Sequence, residues 1–359
     1  MLVVSRAHTD ISRSLWKMRS WKNPRTKMHP ATMYKNIPRS SLSDMYTTTP
    51  LAPGNFVHLV HSPTPARPHQ TQIMSILNTT PDSFSDGGSN ALDPQSLRET
   101  AAAHIAAGAT IIDVGGQSSR PNAPDVTAEE EINRVLPAIA AIKSLPEAKG
   151  VAISVDTYRA AVAEAAINAG ADIVNDISAG KMDSQMLPTV ARLGCTFVMM
   201  HMRGTPATMQ NPENCEYAGG LGVDIAKELL ERVDDAVEAG VRRWRLILDP
   251  GIGFAKTQEQ NLDLLSITRH LHSRRNEFKR RTRGMPWLVG SSRKGFIGKI
   301  TGVAEPKDRV WGTAVAVTAS ILHGADIVRV HDVKEMAQVA KMADALRGRP
   351  SFKSGPVDF

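Results

Sequence analysis

The sequence predicts an α/β fold, a closed (β/α)8 TIM barrel carrying a largely disordered basic N-terminal arm. Three observations point to the barrel. Short apolar runs and amphipathic stretches alternate eight times between residues 73 and 348, a span close to the roughly 250 residues typical of this fold. Ala-Gly-Ala or His-Gly-Ala steps at 107–109, 169–171 and 323–325 end a helix and lead straight into a strand, as a left-handed glycine cap does. No GxGxxG follows the first strand, which sets aside an open doubly wound sheet.

The first strand is residues 73–77, running into Asn-Thr-Thr-Pro-Asp-Ser-Phe-Ser-Asp-Gly-Gly at 78–88, with a helix over 94–107. The second strand, 110–114, leads into Gly-Gly-Gln-Ser-Ser-Arg-Pro at 115–121. Thr127 with Glu130 forms a capping box for a helix ending near 144, because each side chain can satisfy an orphan amide of the first turn. Strand three, 151–155, ends in Asp156-Thr157 and is followed by a helix to 168. Strand four, 172–174, ends in Asn175-Asp176, with a helix over 184–193. Strand five, 196–200, ends in His201, before a longer helix at 222–239. Strand six, 245–248, ends in Asp-Pro-Gly-Ile-Gly-Phe at 249–254, and a helix spans 258–272. Strand seven, 287–289, breaks into Gly-Ser-Ser-Arg-Lys-Gly at 290–295 and feeds a helix near 310–322. Strand eight, 327–330, ends in His331-Asp332 and a last helix to about 346.

Composition bounds the rest. An apolar content of 42% and charged content of 22% suit a globular protein with a sizeable core. The apolar runs are too short to span a bilayer, so no membrane partner is expected. Cys195 and Cys215 form no CxxC or Cys/His cluster, which excludes a disulfide framework or structural zinc site of recognisable spacing. The net charge of +7 sits in the arm: residues 1–70 hold ten Lys/Arg against two acids, +8, leaving the remainder at −1. The folded body therefore lacks the basic face that nucleic acid needs. A second basic cluster at 274–283 reads as a solvated helix end and loop. The domain division is an arm over 1–71, a barrel over 72–348 and a tail over 349–359. The arm is Arg- and Ser-rich with an amphipathic start, as a mitochondrial transit peptide is; a linker remnant of a longer polypeptide in the cytoplasm is the alternative.

In a barrel, the C-terminal strand ends converge on one mouth. That mouth would hold Asn78, Ser119, Arg120, Asp156, Asn175, His201, Asp249, Lys294, Arg329 and His331. Three acceptors (Asp156, Asn175, Asp249) among several cations define a candidate site.

Those residues carry a resemblance. The segments 78–88, Ser-Ser-Arg-Pro at 118–121, Asp-Pro-Gly-Ile-Gly-Phe at 249–254, Ser-Arg-Lys-Gly at 292–295 and Arg-Val-His-Asp at 329–332 resemble the motifs of dihydropteroate synthase, in order across the whole barrel. The resemblance implies a transferase of folate biosynthesis. It joins 6-hydroxymethyl-7,8-dihydropterin pyrophosphate to p-aminobenzoate, with pyrophosphate departing before the amine attacks. It assigns Asp156, Asn175, Met200, Asp249 and Lys294 to the pterin, and Asn78, Arg120, Arg329 and His331 to the pyrophosphate. Mg2+ would bridge Asn78 to the phosphates, and Ser119, Pro121, Phe254 and Lys294 would meet p-aminobenzoate. Lys294, Asp156, Asp249, Arg329 and His331 are the expected catalytic residues, with the loops 78–88 and 116–124 closing over the second substrate. A homodimer and a pterin pyrophosphokinase working beside the chain or linked to it are also implied.

Three departures stand out: Ser119 where many members have Thr, Gln117 for a frequent Glu, and Gly295 for a Ser common in bacterial members. The second-substrate loop is where altered affinity is expected, including for sulfonamides. The rivals are a non-catalytic pterin-binding paralogue and a methyltetrahydrofolate-dependent methyltransferase, which has no need of the Arg329/His331 pair.

Overall fold

The computed structural model describes residues 48–52, 55–58, 70–80, 93–118, 125–271 and 285–347. Eight parallel strands form one sheet: β3 (Gln72–Asn78), β4 (Ile111–Gly115), β5 (Ala152–Asp156), β6 (Ile173–Asp176), β7 (Thr196–Met200), β8 (Leu246–Asp249), β9 (Leu288–Val289) and β10 (Ile327–Val330). Their order is β8-β7-β6-β5-β4-β3-β10-β9. A parallel bridge between Leu248 and Trp287 joins the two ends of that series, so the sheet closes. Closure hangs on one short strand, and the Leu248 amide donates to the Pro286 carbonyl at 2.9 Å.

The helices are α1 (Pro94–Ala106), α2 (Ala128–Lys143), α3 (Ala160–Ala169), α4 (Met186–Leu193), α5 (Leu221–Glu238), α6 (Gln258–Leu271), α7 (Gly295–Thr301), α8 (Val310–Leu322) and α9 (Val333–Arg347). Local chemistry sets their ends. Asp93 caps α1 by accepting from the Ser96 amide, with Pro94 in the first turn. The Thr127 hydroxyl accepts from the Glu130 amide at 3.1 Å, which is half of the expected capping box. Gly108, Gly170 and Gly324 adopt φ of 108°, 108° and 118°, a region costly for any residue with a Cβ.

Two expectations are corrected. Residues 48–52 and 55–58, placed in the largely disordered arm, carry regular structure. β1 (Thr48–Ala52) and β2 (Asn55–His58) pair as an antiparallel hairpin. Leu51 is buried with Met74, Ile111, Ala152, Ile173, Val198, Ile247, Leu288 and Ile327, one residue from each barrel strand. The hairpin therefore plugs the N-terminal end of the barrel, and the Thr196 hydroxyl donates to the Pro50 carbonyl at 2.5 Å. Second, a helix does not wait until residue 310 after β9. Helix α7 begins at Gly295, directly after Lys294.

Side chains alternate along a strand, which separates the barrel into two populations. Outward residues such as Ile112, Val114, Ile153, Val155, Phe197 and Met199 join the large core against the helices. The inward apolar ring plugged by Leu51 forms the floor of the mouth.

Candidate active site

Two residues beyond each floor residue, the alternation brings the next inward side chain. In chain order these positions are Ile76, Asp113, Ser154, Asn175, Met200, Asp249, Gly290 and Arg329. Two residues further, β3, β4 and β5 contribute Asn78, Gly115 and Asp156. A polar tier thus follows directly on an apolar floor, and its acceptors lie on one side of the barrel.

Arg329 is the tie across the tier. Its Nε donates to Asp113 Oδ2 at 2.7 Å and its Nη2 to Asp156 Oδ2 at 2.7 Å. Asn175 Nδ2 donates to the same Asp113 oxygen at 3.0 Å. Asp113 is wholly buried. Sequence alone reads it as part of the apolar run of strand two and misses it. The signal available was its position two residues after an inward isoleucine, where a charge needs a partner. The other Asp113 oxygen, Oδ1, and Ser154 Oγ on the neighbouring strand are buried with no protein partner among the described residues.

Burial raises the Asp156 carboxyl pKa, Arg329 opposes the rise, and the nearby Asp113 charge adds to it. Asp249 is pushed up to about 6 by burial, partly offset by the Gly251 amide, which donates to its Oδ1 at 2.7 Å. Lys294 is pulled down to about 8, first by loss of solvation and then by the Arg329 charge. Its Nζ lies 4.1 Å from the Phe254 ring centroid, close enough for a cation–π contact. Met200 sits in an apolar group with Ile177, Met202, Met209 and Ala255, against which Phe254 packs. Met200, on β7, thus stands as an apolar side chain between the acceptors Asn175 on β6 and Asp249 on β8.

The paired cations of the Ser-Arg-Lys motif separate. Arg293, at φ 59°, donates from Nε to Asp332 Oδ2 at 3.1 Å, and only Lys294 reaches Phe254 and the tier. Ser292 holds His331: its hydroxyl oxygen accepts the His331 amide at 3.2 Å and lies 3.0 Å from Nδ1. In the tautomer whose Nδ1 accepts the hydroxyl proton, Nε2 carries the ring proton.

His201 leaves the site, contrary to expectation. It alternates outward from Met200, with Nε2 at 3.0 Å from Glu228 and Nδ1 at 3.2 Å from Lys256 Nζ. Lys256, also missed by sequence alone, donates to the Phe254 carbonyl at 2.9 Å. It thereby braces the turn that carries Phe254. Ser119, Arg120 and Pro121 lie outside the described residues, as do positions 81–88 and 119–124 of the two predicted loops. Gln117 is described. Its amide donates to Asp125 at 2.8 Å and to the Tyr158 hydroxyl at 3.1 Å, bonds that a Glu carboxylate could not donate. At Gly295 a Cβ would meet nothing within 4 Å, so either Gly or Ser fits there.

An oxygen notch lies above Gly115. A Cβ at that position would stand 3.3 Å from Asn78 Oδ1 and 3.7 Å from the Asp156 Cβ. No group of three His, Cys, Asp or Glu that could cage a metal occurs among the described residues. A hard carboxamide oxygen beside a carboxylate nonetheless suits magnesium that arrives with phosphate and water.

Known proteins share this fold and much of this sequence. The pterin binding enzyme family matches residues 74–331. A dihydropteroate synthase of Synechocystis is 48% identical over 277 residues, covering 77% of this chain and 90% of that protein. A mitochondrial folate synthesis bifunctional protein of Arabidopsis thaliana is 46% identical over 289 residues, covering 79% of this chain and 51% of that one. Two fungal folic acid synthesis proteins also match, and the chain spans only 36% of their length. The structure of Xanthomonas albilineans dihydropteroate synthase with 4-aminobenzoic acid superposes with a TM-score of 0.70 at 31% identity, covering 85% of this chain and 100% of that one. With the family match, the sequence identity and the shared barrel, the chain belongs to the pterin binding enzyme family and, within it, to the dihydropteroate synthases.

Proposed function

We propose that this chain condenses 6-hydroxymethyl-7,8-dihydropterin pyrophosphate with p-aminobenzoate to give 7,8-dihydropteroate and pyrophosphate. The observation that carries this reading is the polar tier itself. Asp156, Asn175 and Asp249 stand as acceptors, with Lys294 within electrostatic reach of the two carboxylates, above an apolar floor and beside Met200. A planar ring with a row of N–H donors and a carbonyl suits that arrangement. A ring lacking those groups would leave buried polar atoms unpaired and be strongly disfavoured.

Chemistry follows from where charge develops. The carbon–oxygen bond to pyrophosphate breaks with its electron pair leaving on the phosphate oxygen. Arg329 and the His331 Nε2 proton receive that charge, with Arg120 as a further proposed donor. Ionised Asp156 and Asp249 stabilise the pterin-methyl cation. The p-aminobenzoate nitrogen then gives its lone pair to that carbon and sheds a proton to pyrophosphate or water. Asn78, with the notch above Gly115, would hold Mg2+, which when bound neutralises phosphate charge. Phe254 and the aliphatic stem of Lys294, with Ser119 and Pro121, are the proposed p-aminobenzoate contacts. The experiment is p-aminobenzoate-dependent pyrophosphate release by the purified chain with Mg2+. A folded protein that binds the pterin pyrophosphate and releases nothing would be a binding paralogue instead.

The pKa directions set a pH profile. The ionised forms of Asp249 and Asp156 are gained as pH rises through about 6 and about 7, and donation by Lys294 requires its protonated form, lost above about 8. A bell-shaped profile of kcat/KM with those limbs is expected. A flat profile between about pH 5 and 9 would remove these residues from the reaction.

Two copies are proposed to associate through α7 and α8. Ile300, Trp311 and Val315 are 51%, 82% and 72% exposed, and the last two lie one turn apart, an apolar face a second copy would cover. Light scattering is expected to give twice the chain mass for the native protein and one chain mass for Trp311→Asp. For destination, the acid-poor arm and the mitochondrial name of the plant relative support mitochondria over cytoplasm. Import of a fluorescent fusion of residues 1–70 tests that. The short coverage of the fungal relatives supports a pterin pyrophosphokinase working beside this chain or linked to it.

A further inference from the structure

We propose that Asp113 is the positioning residue that fixes the hydrogen-bonding polarity of the pterin site. By taking the Asn175 amide nitrogen, it turns the Asn175 carbonyl oxygen towards the ligand, and by taking Arg329 Nε it sets the plane of that guanidinium. This inference rests on the pterin reading above and adds a residue to it.

An asparagine amide has a donor end and an acceptor end of nearly the same shape, so a site that could seat either orientation leaves its polarity undefined. Asp113 removes that freedom. Its Oδ2 lies 3.0 Å from Asn175 Nδ2, and the flipped amide would set a carbonyl oxygen against a carboxylate oxygen. The acceptor end is thus committed away from Asp113. Beside it, Asp156 and Asp249 are acceptors too, so three acceptors in series face one ligand edge.

The same oxygen accepts Arg329 Nε at 2.7 Å, while Asp156 takes Nη2 at 2.7 Å. Two carboxylates along one edge of a planar fork define its orientation. Nη1, without a protein partner among the described residues, is then the nitrogen of Arg329 left for an anion.

Asp113 is not the residue that packing alone would place there. It is wholly buried, and its Oδ1 has no protein partner among the described residues. An unpaired buried carboxylate oxygen is unfavourable in a way that a neutral side chain would avoid. Its charge is explained by what it holds.

The test is a swap. Binding of 6-hydroxymethylpterin to the full chain is measured by calorimetry for the native protein, Asp113→Asn, Asn175→Asp and the double variant, alongside the KM for p-aminobenzoate. Asp113→Asn is expected to weaken pterin binding roughly tenfold or more with little change in the p-aminobenzoate KM. Asn175→Asp sets two carboxylates together and weakens it at least as much. The double variant restores one amide and one carboxylate in reversed places, and recovery of at least about tenfold over Asn175→Asp is expected. Because the swap preserves the net charge of the tier, it also answers the question should Asp113→Asn fail to fold. A double variant binding no better than Asn175→Asp overturns the proposal while the native protein still binds pterin. Native protein that binds no 6-hydroxymethylpterin overturns the functional reading, and this inference with it.

Discussion

Replacing Lys294 by alanine is expected to lower p-aminobenzoate-dependent pyrophosphate release by about 100- to 1,000-fold, the usual loss when one preorganised donor is removed from a developing charge. Lys294 ends the strand-seven segment just before α7 and faces Phe254, so its ammonium is positioned by backbone and ring together. With Arg329 it supplies the positive charge near the acceptors, and burial has already brought its pKa down to about 8. Removing it takes away the donor to the pterin acceptor side and leaves Asp249 with only Lys256 and Arg329 as nearby countercharges. Lys294→Arg keeps the charge but replaces a compact ammonium with a planar fork, and only partial recovery is expected. Circular dichroism and unfolding of the alanine variant should stay near native, because the side chain supports no core contact beyond the Phe254 ring. Release within about tenfold of native would mean that Lys294 is a bystander.

Arg329→Met is expected to damage stability as well as activity. Removing one partner of a buried ion pair leaves an uncompensated charge, which typically costs about 3–5 kcal/mol. Here two carboxylates, Asp113 and Asp156, lose their cation at once. Urea unfolding, extrapolated linearly, measures the loss. Its pH dependence carries a sign. Arg329 lowers the Asp156 pKa, so without it that carboxyl rises further above its unfolded value. A group whose folded pKa is raised binds its proton preferentially in the native state, so stability falls as pH climbs through that pKa. The deficit of Arg329→Met should therefore be smallest in mild acid, where Asp156 is protonated with or without Arg329, and grow as pH rises through and above about 7. A deficit below about 1 kcal/mol at neutral pH would show that water already screens the pair.

Strand and helix placement was legible in the sequence because it depends on local alternation, capping chemistry and glycine stops. The Gly108, Gly170 and Gly324 caps and the Thr127 cap all act within a few residues. Two local features escaped. Helix α7 is only seven residues long, too short for a clear apolar period. The β1–β2 hairpin carries prolines at 50 and 53, which read as a connector until Leu51 is seen among the eight floor residues.

The site divided along the same line. Strand-end motifs were enough to bring Asn78, Asp156, Asn175, Asp249, Lys294, Arg329 and His331 to one mouth, since a barrel gathers every strand's C-terminal end there. By itself, then, the sequence determined the barrel, its open end and the chemical character of that end. Only the tertiary structure decided which polar groups meet: that Arg293 turns to Asp332, that His201 faces Glu228 outside the barrel, and that Asp113 joins Arg329 across 216 positions of chain. The physical reason is that a buried charge is satisfied by whatever closure of the sheet brings within about 3 Å, and no local pattern records a partner that lies on another strand.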